Sequence, residues 1–162
     1  MRTMPFGAAL LAGLFAFTSA HAATNAPTYI AKAGAGDLYE TQSSKLVLAT
    51  TADPKVKTFA NKMIADHTAS TAKVKAAAAK DGIKVAPPKL DVAQQAMIAT
   101  LESAKGPARD AAYLEQQHKA HEQALALHQE YAQSGDKPAL KAAAAEIVPV
   151  VQQHIATMPM KH

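Results

Sequence analysis

The sequence predicts an all-α protein, an antiparallel four-helix bundle with one extra short connecting helix. Three observations predict it. Alanine fills 39 of the 162 positions against only 7 glycines, and an alanine side chain loses no rotamer freedom in a helix. Apolar residues return every three or four positions along four long stretches, so each stretch carries a stripe that a facing stripe must bury. No segment alternates with the two-residue period of a strand, and neither a glycine-rich phosphate loop nor a Ser-centred nucleophile elbow is present.

The first 22 residues stand apart. Arg2 is their only charge, Ala8 to Phe17 is an apolar run, and Ala20-His21-Ala22 puts small residues where a signal peptidase reads. The run is about half the ~20 residues that span a bilayer. Cleavage near Ala23 is therefore expected, leaving residues 23–162 as one exported, periplasmic, soluble domain with its core at about 27–158.

From Pro27 to about Thr50, Ile30, Ala33, Glu40, Val47 and Leu48 fall near one face, although Gly34 and Gly36 weaken the first turns. Asp53-Pro54 is a helix start, and Val56, Phe59, Ala60, Met63, Ile64 and His67 trace the next stripe as far as Asp81-Gly82. Pro87-Pro88 marks a connection. Asp91 then caps a shorter helix carrying Val92, Met97, Ile98 and Leu101, which Gly106-Pro107 ends. A long helix follows from Pro107 to about Gln133, with Tyr113, Leu114, Gln117, His121, Ala124, Leu125 and His128 near one face. The last runs from about Lys137 to Met158, with Leu140, Ala144, Ile147, Val151 and His154 on its stripe and Pro149 inside it.

Composition removes several functions. Without cysteine there is no disulfide scaffold, Cys-ligated zinc, iron–sulfur cluster, thiol nucleophile or thioether-bound haem. Without Arg2, 16 Lys and Arg against 13 Asp and Glu leave a charge of +3 spread over Lys-rich helix faces with few aromatics nearby, so no nucleic-acid partner is expected; weak contact with an anionic membrane surface stays open. No later segment reaches spanning length, and no protein partner is legible.

The sharpest chemical signal is one ionisable residue on each of four apolar stripes: Glu40, His67, His121 and His154. Burying such groups without partners costs several kcal/mol in order of magnitude, so they are expected to converge on one another or on a metal. Neutral imidazoles with a carboxylate suit one ion of zinc, copper, iron, nickel or manganese. The competing reading is an internal hydrogen-bond network with no metal. Glu40 and His67 lie 13 and 14 residues from the turn at Asp53, matching in height across a hairpin. His121 and His154 lie 14 and 19 residues from Gly135, an offset of about 7 Å at 1.5 Å per residue. His118 matches His154 better and is the expected substitute. Asp66, about 100° around the helix from His67, is expected to support the site from its surface side. Met158, Met160 and His162 offer soft donors in the tail, although a frayed end explains them as well.

Together, Gly36-Asp-Leu-Tyr-Glu40, Asp53-Pro-Lys-Val-Lys-Thr-Phe-Ala60, Met63-Ile-Ala-Asp-His-Thr68, Tyr113-Leu-Glu-Gln-Gln with His121, and Pro149 followed by His154 resemble the bacterial family called domain of unknown function 4142, over roughly Pro27 to Met158. The resemblance implies a ferritin-like, exported helical bundle, often labelled an outer membrane protein, without an established activity. It marks Glu40, Asp66, His67, Tyr113, His121 and Pro149 with His154 as recurrent positions. Arg109 replaces a usual Phe and Val148 a usual Leu; the first is expected to weaken packing at the start of the third long helix. Carboxylate-bridged di-iron chemistry is disfavoured, because no Glu-x-x-His pair is repeated on two helices and Val151 stands three residues before His154. With no substrate pocket or nucleophile–base pair in view, a metal-binding or stress-related envelope module is expected ahead of a structural module, and an enzyme third.

Overall fold

Five helices account for most of residues 23–159, the part of the chain that this computed structural model describes: α1 (Ala26–Leu48), α2 (Pro54–Lys80), α3 (Val92–Ser103), α4 (Pro107–Ser134) and α5 (Pro138–Thr157). The expected signal peptide, and Met160 and His162 of the tail, lie outside the described residues. The helix limits fall within a turn of those expected from sequence, and among the described residues there is no strand.

Local chemistry sets the ends. Asn25 caps α1 by accepting from the Thr28 amide at 3.0 Å, and Asp53 caps α2 by accepting from Lys55 at 2.7 Å. Gly82, with φ of 73°, closes α2: its amide bonds to Ala79 and that of Ile83 to Ala78, a pairing that uses the left-handed conformation glycine adopts freely. Asp91 and Gln94 cap α3 reciprocally. Lys137, at the start of α5, has no acceptor in its side chain. Asp81, at the end of α2, supplies one from outside the helix, accepting from the Ala139 and Leu140 amides at 3.2 and 2.9 Å.

The hydrogen bonds between helices fix the topology. Thr24 is held by Glu130 and Ser44 by Tyr113, so α1 and α4 run antiparallel; the Asp81 contact makes α2 and α5 antiparallel as well. Short turns join α1 to α2 and α4 to α5. The four long helices thus form a ring in the order α1, α2, α5, α4, and residues 81–106, with α3 lying on α1 and α4, carry the chain from one end of the bundle to the other. Gly34 does more than weaken α1. A Cβ there would come within 3.2 Å of the Pro88 side chain, so the glycine lets the long connection pass close over the helix.

Apolar residues form two clusters. One gathers Tyr29, Ala78, Tyr131, Leu140 and Ile147; the other gathers Val47, Val56, Phe59, Met63, Leu101 and Tyr113. Between the segments that feed these clusters lie buried polar residues on all four long helices, Asp37, Glu40, His67, Gln117, His121 and His154, which form a polar layer in mid-bundle.

The expectation that Arg109 weakens packing is overturned. Its buried guanidinium donates to the carbonyls of Leu46 (3.0 Å), Glu102 (3.3 Å) and Ala104 (2.8 Å) and to Thr50 Oγ1 (3.2 Å), tying the ends of α1 and α3 to the start of α4. Helix C-termini carry unpaired carbonyls, and a planar five-donor cation satisfies several at once. Among the described residues no helix is long and apolar enough to cross a membrane.

Candidate metal centre

Three of the four expected residues meet in the polar layer. His67 of α2, His121 of α4 and His154 of α5 are all buried, with ring centroids 5.2 to 5.6 Å apart. Each offers a nitrogen that lies within 4.8 Å of the other two. His121 Nε2 and His154 Nδ1 are 3.2 Å apart, and His67 Nε2 is buried with no hydrogen-bond partner.

The remaining nitrogen of each ring is held by an acceptor. His67 Nδ1 bonds to Asp37 Oδ1 at 2.8 Å, His121 Nδ1 to the Gln117 carbonyl at 2.8 Å, and His154 Nε2 to Asp66 Oδ2 at 2.7 Å. These bonds fix ring orientation and direct the other three nitrogens toward a common point. A histidine that ligates a metal is supported in this way, by a carboxylate or carbonyl on its far nitrogen. Asp37 is itself secured by Thr71, whose hydroxyl donates to Oδ2 at 2.9 Å. Asp37 was not among the expected site residues, yet it stands three positions before Glu40, on the same side of α1.

The height gap between His121 and His154 closes in the structure, where α5 continues as one helix through Pro149. His121 lies 13 residues before the end of α4 and His154 lies 16 after the start of α5, an offset of about 4.5 Å. Side chains lean toward the N-terminus of their own helix. His154, farther from the turn, therefore leans back toward it, while His121 leans away from it, and the rings meet. His118, the expected substitute, lies instead on the exposed face of α4, 3.5 Å from Glu122 in an i,i+4 pair.

Glu40 approaches from elsewhere. Its Oε1 lies 3.7 Å from Nδ1 of His121, the nitrogen already bonded to Gln117, and its Oε2 is buried without a partner. It therefore neighbours His121 rather than completing the set of inward nitrogens. Tyr113 stands one layer further out; its hydroxyl bonds to Ser44 and its ring meets Phe59, which meets His121. Asp66, expected beside the site, accepts from His154 Nε2.

Burial governs the protonation states. It pushes Glu40 up to about 7, although the nearby His67 charge pulls the other way. Burial, reinforced by His67, pushes His121 down to about 3, which keeps it neutral. His154 is also lowered, chiefly by burial. For His67 burial is outweighed: the Asp37 hydrogen bond and the charges of Glu40 and Asp37 hold it above the ordinary imidazole value. One ring thus favours a positive charge while two favour neutrality.

The donor set fits a metal. Three imidazole nitrogens bound at about 2.0 to 2.1 Å would stand roughly 3.3 Å apart in a tetrahedral arrangement. The His121–His154 pair is already at that spacing, and the unpartnered Nε2 of His67 is the atom that has to close in.

Comparison with known proteins bears on the fold and the family. A solved structure described as CopM in the Cu(II)-bound form superposes with a TM-score of 0.68, covering 83% of this chain and 93% of that chain at 14% identity. At that identity the likeness is one of fold. No curated protein sequence matches the chain. Residues 15–159 match the family described as Domain of unknown function (DUF4142), and the chain belongs to that family.

Proposed function

We propose that the protein binds one divalent transition-metal ion between α2, α4 and α5, through His67 Nε2, His121 Nε2 and His154 Nδ1, as an exported protein of the cell envelope. The observation that carries this reading is the buried, unpartnered Nε2 of His67, aimed with two other imidazole nitrogens at one point while acceptors hold all three rings from behind. Three nitrogen donors leave a position open for water or an exogenous ligand. Copper(II) stands highest in the affinity order for such donors, and the protein of shared fold described above carries Cu(II).

The test is equilibrium titration of the purified protein with copper(II) and zinc(II). One ion per chain is expected at micromolar protein, and His67→Ala should abolish stoichiometric uptake while circular dichroism stays helical. Absence of uptake by the wild type, or unchanged uptake by His67→Ala, would contradict it. A metal-free internal network is the second reading, favoured by the hydrogen bonds that His67 makes to Asp37, His121 to the Gln117 carbonyl and His154 to Asp66.

A further inference from the structure

The three histidines are almost free of solvent contact, so an ion reaches them only where the surrounding shell opens. The groups behind the three rings differ in that respect. Asp37 is buried with both carboxylate oxygens occupied, by His67 and Thr71. The Gln117 carbonyl belongs to a buried residue within α4. Asp66 is the partly open one, its side chain 28% exposed. Both of its bonds fall on Oδ2, from Lys62 Nζ at 2.5 Å and His154 Nε2 at 2.7 Å, leaving Oδ1 without a partner among the described residues.

From this geometry we propose that Asp66 is the port through which a divalent transition-metal cation reaches the histidine triad, and that the Lys62 ammonium is the latch that closes it. The inference rests on the metal-binding reading above. A partly exposed carboxylate exchanges for a water of a hydrated cation, and Oδ1 is the atom available to do so. His154 then stands directly behind it. One nitrogen of that ring is bonded to Asp66 and the other belongs to the triad, so a single imidazole separates port from site. Lys62 places a competing positive charge on the same carboxylate, one helical turn away on α2. An arriving cation must displace it. Because the Lys62 side chain is 37% exposed, release of its ammonium into water is cheap, as suits a latch.

A second route is conceivable beside Asp37, where Gly34, Asp37, Thr71, Lys75 and Pro88 border a small cavity under the long connection. Lys75 lines that cavity, and it supplies the control. Loading of copper(II) and its release into excess chelator should be timed by stopped flow for the wild type, Lys62→Met and Lys75→Met, after equilibrium titration has established uptake. Lys62→Met is expected to speed both loading and release by about 3- to 10-fold, with affinity moving less than either rate, because a latch acts on the barrier. Lys75→Met, which removes the same charge elsewhere on α2, should leave both rates within about twofold of wild type.

Acceleration by Lys75→Met instead overturns the proposal in favour of admission beside Asp37. Equal acceleration by both variants overturns it as a long-range charge effect, and no acceleration by Lys62→Met overturns it outright. A change in release alone would mean that Lys62 acts on the bound ion, which also overturns it. If the wild type takes up no copper(II) at equilibrium, the metal-binding reading itself has failed, and that is seen before any rate is measured.

Discussion

Replacing Asp37 by Ala perturbs the polar layer at the residue on which His67 depends. Asp37 is 5% exposed and accepts two hydrogen bonds, from His67 Nδ1 at 2.8 Å and Thr71 Oγ1 at 2.9 Å. Alanine leaves both donors without an acceptor. The imidazole is deeply buried and bears the full penalty, whereas Thr71 is partly exposed and recovers some hydration. At about 1 to 3 kcal/mol for each stranded donor, the loss should be about 2 to 4 kcal/mol. For a domain of this size that lowers the melting temperature by about 7 to 14 °C. Asp37 is also the first of the influences that hold His67 above the ordinary imidazole value against burial, so the His67 titration should move to lower pH. Thermal denaturation without metal, together with NMR titration of the histidine ring protons, measures both effects. Asp37→Asn keeps an acceptor for His67 and should lose less than half as much stability. A melting temperature for Asp37→Ala within about 2 °C of wild type, with His67 titrating where it did before, would refute the reasoning.

Asp81→Ala removes the acceptor that caps α5 from outside and should cost about 1 kcal/mol in urea unfolding, with early amide exchange at Ala139 and Leu140. Gly135→Ala should cost more than about 2 kcal/mol by the same measurement, because a Cβ would lie 2.6 Å from the Tyr131 backbone oxygen and 2.7 Å from its ring. His128, buried and bonded to the Tyr29 hydroxyl at 3.0 Å, is pushed down by burial to about 4. The unfolded chain binds that proton first, so stability should fall as pH drops from about 6.5 toward 4, by up to about 3 kcal/mol, with no contribution above that window. Urea midpoints across this range should decline less steeply for His128→Gln.

Much of the bundle was legible because local chemistry announces helix ends. Asp53-Pro54, Asp91 and Gly106-Pro107 are recognisable without any tertiary contact, and the stripes between them follow from one period. The histidines were legible for the same reason: each falls on an apolar stripe where an unsatisfied ring is costly. What was not legible depends on partners distant in sequence or on side-chain direction. Asp37 reads as an ordinary polar residue near two glycines until His67 and Thr71 are placed opposite it. Counting residues from the turn placed His121 and His154 too far apart because it located backbones and ignored the lean of the rings. Glu40 shares the layer but meets the wrong nitrogen of His121, a distinction of a few ångströms that spacing does not encode. Arg109 looked like a packing defect because the three carbonyls it satisfies lie at the ends of helices that only the fold brings together.

Crystals of the purified protein soaked in copper(II), with anomalous data collected at the copper edge, test the central claim most directly. The account predicts a single interior peak about 2 Å from His67 Nε2, His121 Nε2 and His154 Nδ1, with Asp37, Gln117 and Asp66 still bonded to the far nitrogens. Interior density free of metal, with copper absent or held only at surface groups such as His118 and Glu122, would contradict it.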